Sequence, residues 1–470
     1  MIIKLPENIV FVLNQLKANN FEAFIVGGCL RDLLIGNEPK DWDVTTNALP
    51  KDIQKIFLNS FYNNSFGTVG VIVEGDTIEV TTYRSEAKYT DKRHPDKIKF
   101  GVSLEEDLKR RDFTINALAF DGNKTVDKFK GQKDLEARII RCVGKAEDRF
   151  NEDALRMMRA IRFAAQLDFQ IEKKTWQAII KNKNNIKKIS SERVRDELMK
   201  ILKADDSFRG LWLLKESGIQ KIILPELEKT VGVMQNKHHM YSVYYHSLLS
   251  VQFCPSDDPL VRLAAFLHDI AKPQTKGGEG ADATFYNHEH LGVKFTKQIM
   301  RRLKFSNDEI AMVAHLVKNH MFYYNIGEIT DAGVRRLIRR VGNENLKNLI
   351  DLRIADRMGS GCQKDKPYKL EELERRMIKV QKDPIDTRML KIDGNILQKE
   401  FKMKPGAKIG IVMHLLLEEV LDDPKKNTEE YLFAQAKKII ADIKKMTEKE
   451  ARNKMKENRE FLRDYNEKNN

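Results

Sequence analysis

The residues from Phe24 to Pro50 read FIVGGCLRDLLIGNEPKDWDVTTNALP, and they decide the fold of the first part of the chain. A short apolar strand, Ala23–Val26, runs into Gly27-Gly28, and the residues that follow predict a helix. Two glycines at this point let backbone N–H groups approach an anion closely, and the N-terminus of a helix favours negative charge. Arg31 lies one turn into the helix and could hold a phosphate. By itself, a glycine pair before a helix is usually only a turn.

Two carboxylates follow this helix, in the sequence Asp41-Trp42-Asp43. In a strand, Asp41 and Asp43 point to the same face, and they would repel each other unless a cation lay between them. Mg²⁺ binds carboxylate oxygens together with water and phosphate oxygens, which is what two-metal nucleotidyl transfer requires. A bare pair of this kind is more often solvated in a polar turn, but its spacing from the glycine pair favours a metal site. Glu79, in a predicted strand over Ile78–Thr81, is a weaker candidate for a third carboxylate.

The first 145 or so residues mix short strands with helices, whereas the rest of the chain is predicted to be helical. Further strands are predicted over Thr68–Val73, Thr77–Thr82 and Ile115–Phe120. Apolar residues at spacings of three and four predict helices over Asp148–Leu167, Glu172–Ile186 and Ser191–Leu202, with Ser191 as an N-cap. The segment Lys425–Asn470 alternates both signs of charge, which predicts a solvated helix or helical pair.

The composition excludes several classes of protein. The chain has 83 Lys and Arg against 69 Asp and Glu, a net charge of +14 over 470 residues, and 41% of its residues are hydrophobic. This length exceeds what one core supports, so several domains are expected. We expect no membrane protein, because no apolar run approaches the about 20 residues of a spanning helix. We expect no signal peptide, because the first residues have no charged region before an apolar stretch and no small-residue cleavage site. The four cysteines form no CxxC pair, which excludes a zinc ribbon and indicates a reducing cytoplasm, while the positive charge suits nucleic acid.

Three longer motifs carry a resemblance to a known family: GGCLRDLLIG…DWDVTT, RRDFTINALAFD at Arg110–Asp121 and EDALRMMRAIRF at Glu152–Phe163. They resemble the signature motifs of the class II tRNA nucleotidyltransferases, the CCA-adding enzymes, whose relatives include the bacterial poly(A) polymerases. The resemblance implies an α/β nucleotidyltransferase head followed by an all-α neck, body and tail, in an elongated chain of several domains. It also implies that C, C and A are added to tRNA from CTP and ATP, without a nucleic-acid template.

The resemblance assigns roles to individual residues. Mg²⁺ would be held by Asp41 and Asp43, and the triphosphate by Gly28, Arg31 and Arg111. Guanidinium donors such as that of Arg111 suit triphosphate oxygens, and Asp112 can accept a hydrogen bond from a ribose hydroxyl. For Arg110, a contact with the nucleotide and a pair with a local acid are equally supported.

The EDALRMMRAIRF motif accounts for the choice of base. On a helix, Asp153 and Arg156 are neighbours on one face. Cytosine and adenine both show an amino donor beside a ring-nitrogen acceptor, whereas uracil and guanine show the reverse. A carboxylate that accepts from the amino group and a guanidinium that donates to the ring nitrogen would therefore accept C and A and reject U and G. The resemblance places Arg159 and Arg162 near the nucleotide or the primer phosphates, although for Arg162 ordinary ion pairing is a fair alternative.

Two other segments bear on the product. Arg84–Phe100 resembles the flexible loop with which CCA-adding members switch from C to A, and Ser65–Ile72 resembles the CCA-adding type rather than the poly(A) polymerases. The neck carries lysines that would form a track for tRNA phosphates, or only a solvated face: Lys173, Lys174, Lys181, Lys183, Lys187 and Lys188.

A second constellation lies in the helical half. It comprises His246, His268, Asp269, His288, His320 and Asp356. The stretch RLAAFLHDIAKP resembles the HD superfamily of metal-dependent phosphohydrolases, and that order implies a second divalent metal site at His246, His268, Asp269 and Asp356. Such ligands suit Mn²⁺, Fe²⁺, Ni²⁺ or Mg²⁺. The alternative is a scaffold domain, with or without metal.

These observations predict four parts: a nucleotidyltransferase head at 1–145, a helical neck and body for nucleotide selection and RNA binding at 146–235, an HD-like helical domain at 236–365 and a charged helical tail at 366–470. The predicted function is a cytoplasmic CCA-adding enzyme whose partners are tRNA, CTP and ATP. The alternatives are a poly(A) polymerase, an enzyme that adds only C, and a metal-dependent HD phosphohydrolase.

Overall fold

The structure is a computed structural model that describes residues 4–62, 67–87, 97–235, 240–361 and 368–444, together with Glu450. The chain forms two compact units, one made of Met1–Val233 and Gln298–Ser306 and the other of Met234–Lys297 and Asn307–Asn470. Each unit has its own arrangement of elements.

Strands occur only in the first unit, among the described residues. They are β1 (Ala23–Val26), β2 (Asp43–Thr46), β3 (Ser60–Tyr62), β4 (Thr68–Val73), β5 (Asp76–Thr82), β6 (Arg84–Ala87), β7 (Lys97–Phe100), β8 (Ala119–Phe120), β9 (Thr125–Val126), β10 (Ile139–Ile140) and β11 (Gln170–Ile171).

The main sheet has the order β3-β4-β5-β2-β1-β8-β9. Its neighbouring strands are antiparallel except β2 and β5, which run parallel. This parallel pair places Asp43 opposite Glu79, so the two carboxylates stand on the same face of the sheet. Buried apolar side chains such as Ile25, Val44 and Val80 fill the alternate positions of the three central strands.

The helices of the first unit follow the strands and then succeed one another. They are α1 (Glu7–Ala18), α2 (Gly28–Leu34), α3 (Pro50–Ile56), α4 (Leu104–Lys109), α5 (Gly131–Glu136), α6 (Ala146–Glu152), α7 (Leu155–Leu167), α8 (Lys173–Asn182), α9 (Ser191–Leu202), α10 (Ser207–Glu216) and α11 (Gln220–Ile223). Helix α7 is buried along most of its length and packs against α9 and α10, which makes it the central helix of this helical part.

The described residues of the second unit form helices with short connections. These are α12 (Val243–Gln252), α13 (Pro259–Leu267), α14 (Lys272–Thr275), α15 (His288–Arg302), α16 (Asn307–Asn319), α17 (Asp331–Val341), α18 (Leu346–Gly359), α19 (Tyr368–Val380), α20 (Gly394–Phe401), α21 (Ala407–Asp422) and α22 (Glu429–Lys444), of which α15 ends in the first unit. Helix α13 packs against α12, α16 and α18. Within the part of the chain that the structure describes, no helix has the length and apolar character to cross a membrane.

Most of the predicted elements are present, with four corrections. The expected strand over Ile115–Phe120 is a 3₁₀ turn followed by the two-residue strand β8. The expected helix Asp148–Leu167 is two helices, α6 and α7, with a break at Asp153 and Ala154. The helix expected over Glu172–Ile186 is α8 followed by a 3₁₀ turn. The N-cap position of α9 is Ser190 rather than Ser191.

Candidate active site and a buried histidine–aspartate cluster

Three carboxylates meet beside the parallel strands β2 and β5. Asp41 is exposed just before β2, Asp43 opens that strand, and Glu79 is its register partner. Burial raises the pKa of the Asp43 carboxyl, Arg111 opposes this rise, and Asp41 adds to it. Burial also raises the pKa of Glu79, as do the charges of Asp43 and Asp41. Mutual repulsion of this kind is relieved by a divalent cation, and an all-oxygen donor set fits a hard ion such as Mg²⁺.

The glycine turn lies directly against these carboxylates. Gly27 has a φ of 77°, which favours glycine. A Cβ atom there would lie 3.0 Å from the Arg111 guanidinium and 3.3 Å from Asp43 Oδ2. A side chain at this position would be strained by the positive φ and would press against both charged groups, so glycine lets the backbone approach them closely. Gly28 begins α2 and faces the Arg31 guanidinium, 3.6 Å from the position of its own missing Cβ.

Arg110 and Arg111 share one buried acid, Asp107 in α4. Arg110 lies 2.8 Å and Arg111 3.6 Å from its carboxylate oxygens. Burial raises the pKa of Asp107, but the two arginines outweigh burial and lower it. Of the two readings of Arg110, the structure shows the pair with a local acid. Arg111 instead extends between Asp107 and the Gly27 turn, and its predicted contact with a triphosphate stays a prediction.

Both oxygens of Asp112 have partners within the protein. Oδ1 accepts from the Phe113 N–H at 2.8 Å and from Asn116 Nδ2 at 3.0 Å, and Oδ2 accepts two hydrogen bonds from Arg159 at 2.9 and 2.7 Å. Burial raises the pKa of the Asp112 carboxyl, but Arg159 and Asn116 outweigh it and hold the pKa well below its usual range. Asp112 therefore positions Arg159, while its predicted hydrogen bond to a ribose stays a prediction.

Three of the predicted arginines surround one aromatic ring, that of Phe163 in α7. The guanidinium carbons of Arg31, Arg159 and Arg162 lie 5.0, 5.4 and 4.4 Å from the ring centroid. Arg31 also donates to Asn116 at 2.8 Å. These distances are those of cation–π contacts, so Phe163 helps to collect three positive charges at one place.

Of these three arginines, Arg162 has the most buried side chain. It pairs with Glu197 of α9 at 3.1 Å. Burial lowers the pKa of Arg162 to about 10, and the neighbouring charge of Arg159 also lowers it. The ion pair that the sequence left as an alternative for Arg162 is thus present, and a phosphate contact stays a prediction.

Asp153 and Arg156 do not share a helix face, which corrects the geometry expected for the base-selecting pair. Asp153 lies in the break between α6 and α7, where its Oδ1 accepts the Leu155 N–H at 3.0 Å. Its carboxylate also binds Arg193 of α9 with two hydrogen bonds, at 3.2 and 2.7 Å. The sequence gives no signal that connects Arg193 with Asp153.

Arg156 is buried in the first turn of α7 and has partners of its own. It donates to Glu152 Oε2 at 2.8 Å and to the Arg110 carbonyl at 2.9 Å. Both members of the predicted pair are therefore bound by protein groups, and their contact with a base stays a prediction.

The second unit brings six dispersed side chains into one buried cluster. Its members are His246, His268, Asp269, His288, His320 and Asp356, all of which are buried. Helix α13 ends at Leu267, so His268 and Asp269 leave it at a bend and can face the same point. Nε2 of His246 lies 3.4 Å from Asp269 Oδ2 and 3.3 Å from Asp356 Oδ1. Imidazole and carboxylate groups with this spacing can hold a metal ion.

The remaining predicted features lie outside these sites or outside the described residues. His290 is exposed and pairs with Glu289, and His315 binds the Val341 carbonyl, so neither belongs to the cluster. The segment expected to switch from C to A forms strands β6 and β7 at its ends, and its middle, 88–96, lies outside the described residues. Of Ser65–Ile72, 65–66 are likewise outside them.

Comparison with protein families gives three matches along the chain. Residues 23–141 match the poly A polymerase head domain, residues 168–230 the probable RNA- and SrmB-binding site of polymerase A, and residues 237–359 the HD domain. The first match covers the glycine turn and the three carboxylates, and the third covers the histidine–aspartate cluster.

Comparison with individual proteins covers nearly the whole chain. The CCA-adding enzyme of Lactococcus lactis subsp. lactis is 35% identical over 445 residues, which are 93% of this chain and 99% of that protein. A CCA-adding enzyme of Lactobacillus delbrueckii subsp. bulgaricus is 50% identical over 198 residues. The crystal structure of the Bacillus stearothermophilus CCA-adding enzyme in complex with CTP is 28% identical, with a TM-score of 0.75, and covers 93% of this chain and 98% of its own. Since the glycine turn, the carboxylates and the arginines stand within these matched regions, the chain belongs to the family of the CCA-adding enzymes.

Proposed function

We propose that this chain adds C, C and A to the 3′ end of tRNA from CTP and ATP, without a nucleic-acid template and with release of pyrophosphate. One observation carries the chemistry: Asp41, Asp43 and Glu79 lie close enough to raise one another's pKa values, and Asp43 lies against the Gly27 turn and beside Arg111. The family of the chain fixes the class of reaction, and this arrangement supplies the groups that it needs.

The three carboxylates would hold Mg²⁺. When bound there, divalent cations neutralise phosphate charge and make a hydroxyl more nucleophilic. The 3′ hydroxyl of tRNA gives up its proton to water as its oxygen forms a bond to the α-phosphorus. The bond from that phosphorus to the bridging oxygen breaks, and pyrophosphate leaves with the electron pair. Arg111 and the backbone of the Gly27-Gly28 turn hold the triphosphate, so the leaving group is oriented before the reaction begins.

The choice of base rests on Asp153 and Arg156. The carboxylate accepts from the amino group that cytosine and adenine share, and the guanidinium donates to their ring nitrogen. In the structure these groups are bound to Arg193 and Glu152. With uracil or guanine, the carboxylate would face a carbonyl acceptor and the guanidinium would face an N–H donor. The cost of leaving these polar groups unpaired gives the discrimination.

The tRNA would follow the basic side chains of the neck. The matched RNA-binding region, residues 168–230, contains all six lysines of the predicted track. Phosphate contacts of this kind give affinity without sequence preference, as an enzyme for many tRNAs requires. We also place the reaction in the cytoplasm, which is supported by the free thiols of Cys29, Cys142 and Cys254.

The test is to offer the purified chain a tRNA that lacks CCA, with CTP, with ATP or with both, and to read product lengths. We expect two added nucleotides with CTP and three with both, and none from Asp41→Ala. Unlimited addition of A would show a poly(A) polymerase instead, and two nucleotides without a third would show an enzyme that adds only C.

We infer a second activity for the histidine–aspartate cluster, the metal-dependent hydrolysis of a phosphate ester. The supporting observation is that His246, His268, Asp269 and Asp356 converge while fully or nearly fully buried. A phosphatase assay with p-nitrophenyl phosphate and Mn²⁺ would compare the wild type with Asp269→Ala and with Asp41→Ala. Activity that is lost in Asp269→Ala and kept in Asp41→Ala supports this function, and activity that is absent from the wild type contradicts it.

A further inference from the structure

One row of residues across the main sheet connects the carboxylates with an aromatic side chain at the edge of the sheet. Asp43 is the register partner of Glu79, and Glu79 is that of Gly70. Gly70 in turn pairs with Phe61 in the edge strand β3. Residues that lie opposite each other on neighbouring strands carry their side chains on the same side of the sheet. Phe61 therefore stands on the same face as the two carboxylates.

Burial distinguishes the two faces of these strands. In β5, Ile78 and Val80 are buried, whereas Glu79 between them is exposed. Phe61 is likewise exposed, by 44%, although it is a large apolar residue. The face that carries Glu79 and Phe61 is thus the more exposed one, and an aromatic ring on it is available to a ligand of the carboxylate site.

Gly70 lets the ring of Phe61 extend across β4 toward the carboxylates. A Cβ atom at Gly70 would lie 2.5 Å from Cζ of Phe61 and 2.8 and 2.9 Å from its two Cε atoms. The outer edge of the ring therefore occupies the space of the side chain that Gly70 lacks. With strands about 4.8 Å apart, this place is one strand from Glu79 and two strands, or about 10 Å, from Asp43.

The order of the sheet separates this ring from the groups that are proposed to hold the triphosphate. Gly27 follows β1, and a Cβ atom there would lie 3.0 Å from Arg111. Strand β1 adjoins β2 on the side away from β5, whereas β3 and β4 lie beyond β5. In phosphoryl transfer, the attacking and the leaving oxygen lie on opposite sides of the phosphorus. The RNA that attacks would therefore approach from the side of Phe61.

We propose that the ring of Phe61 stacks on the base of the last nucleotide of the RNA and so positions its 3′ hydroxyl beside the carboxylates. Because nucleotide addition is itself a proposal, this primer subsite rests on it. In the proposed reaction the last base changes from that of the incomplete tRNA to C. Stacking suits such a series, because every base has a π-face, whereas hydrogen bonds to base edges would select one base.

The first measurement detects stacking and does not depend on turnover. The primer is a tRNA that lacks CCA and ends in 2-aminopurine, a base whose fluorescence is quenched when it stacks. At saturating protein, the wild type should quench this fluorescence more than Phe61→Ala does. Phe61→Trp keeps an aromatic ring and should keep the quenching. Phe61→Leu is apolar but has no π-face, so it should lose the quenching.

Steady-state addition of C gives the second measurement. In Phe61→Ala, the KM for the tRNA primer should rise about 10-fold, whereas the KM for CTP should stay within about twofold of the wild type. A primer whose last nucleotide has no base should raise the KM of the wild type by a similar factor. It should cause no further rise in Phe61→Ala, because both changes remove the same contact.

Two further variants separate stacking from packing. Tyr62→Ala is the matched control: this neighbouring aromatic residue is 47% exposed but pairs with Val69 on the opposite face, so the KM for the primer should not change. Gly70→Ala keeps Phe61 but puts a Cβ atom where its ring lies, so the KM for the primer should rise. The melting temperature of each variant shows whether it has folded, and the primer without a last base tests the same contact in the wild type.

The proposal is overturned if the wild type quenches 2-aminopurine no more than Phe61→Ala does, or if Phe61→Ala raises the KM for CTP rather than that for the primer. Quenching without addition of any nucleotide would support the primer subsite and contradict the proposed function. Addition of C, C and A without quenching would support the proposed function and contradict the subsite.

Discussion

The carboxylate site of the first unit and the histidine cluster of the second are both proposed to hold divalent cations, but they differ in burial and in ligand type. In the first, Asp41 is exposed, and the three candidate ligands are all carboxylates. In the second, the imidazoles are buried, and Nδ1 of His268 and of His288 lies 2.8 and 2.7 Å from a backbone carbonyl. Under these proposals, the first site suits a cation that arrives with substrate and the second suits a resident one.

The substitution with the largest expected effect disables the carboxylate site and leaves the histidine cluster intact. Asp43→Asn keeps the shape of the side chain but removes a charge that is proposed to hold Mg²⁺, so nucleotide addition should fall by at least about 10³-fold. Single-turnover addition of C to a tRNA primer measures this rate. Mn²⁺ binding by the histidine cluster should be unchanged in the same variant. A rate within tenfold of the wild type would contradict the assignment of Asp43.

The next effect concerns the free energy of unfolding, to which the buried charge of Asp112 in the head contributes. Asp112→Asn removes one partner of the Arg159 pair, which should cost about 3–5 kcal/mol of unfolding free energy at pH 7. Because the pKa of Asp112 is lowered in the folded chain, its contribution is complete above the unfolded carboxyl pKa of about 4 and is lost as the pH falls below that value.

Melting temperatures between pH 7 and pH 3 would measure this contribution. The wild type should lose stability below about pH 4 more steeply than Asp112→Asn. Asp52→Asn, which alters an exposed pair with Lys55, is the matched control and should leave the profile of the wild type. Parallel profiles for the wild type and Asp112→Asn would refute the role of this carboxylate.

A smaller effect tests whether the first unit selects among nucleotide bases, a selection that is not proposed for the second unit. Asp153→Ala removes the acceptor for the amino group of C or A, so discrimination against UTP and GTP should weaken by about 10- to 100-fold. Competition between CTP and UTP on a tRNA that lacks CCA gives the ratio of kcat/KM values. Asp148→Ala, in the neighbouring helix α6, should discriminate as the wild type does. Unchanged rejection of UTP by Asp153→Ala would exclude Asp153 from base selection.

The smallest effect concerns the aromatic ring among the arginines. Phe163→Leu keeps an apolar side chain but loses the negative face of the ring, so the KM for CTP should rise about 3- to 10-fold with little change in kcat. Steady-state kinetics with CTP measures both constants. Phe150→Leu, which alters a buried ring with no described arginine contact, is the control for packing. Equal effects of the two substitutions would mean that Phe163 acts only through packing.

The fold class and the family were confirmed because their signals are local. The strands β1 and β4 match the predicted bounds, since short apolar runs between turn residues are recognisable without knowledge of the rest of the chain. The motif residues in the head are near one another for the same reason: Gly27, Arg31 and Asp43 lie on consecutive elements.

Contacts between distant segments were harder to predict from one sequence. Glu79 was only a weaker candidate, because its place beside Asp43 depends on the parallel pairing of β5 with β2 and so on the order of the whole sheet. The ion pair between Asp153 and Arg193 spans 40 residues, and no periodicity indicates it. The break in the predicted helix was also missed, although an Asp before an apolar run is a known signal for the start of a helix.

The break between α6 and α7 bears on how this chain would recognise a base, because the candidate groups already have partners within the protein. Asp153 is occupied by the Leu155 N–H and by Arg193, and Arg156 by Glu152, before any nucleotide arrives. Under the proposed assignment, recognition is an exchange in which the base displaces partners of similar strength. The net gain for a correct base is then modest, whereas an incorrect base forfeits the old partners and gains none. Such a protein can discriminate strongly between bases without binding the correct nucleotide tightly. It can also release the base readily once the nucleotide has joined the RNA.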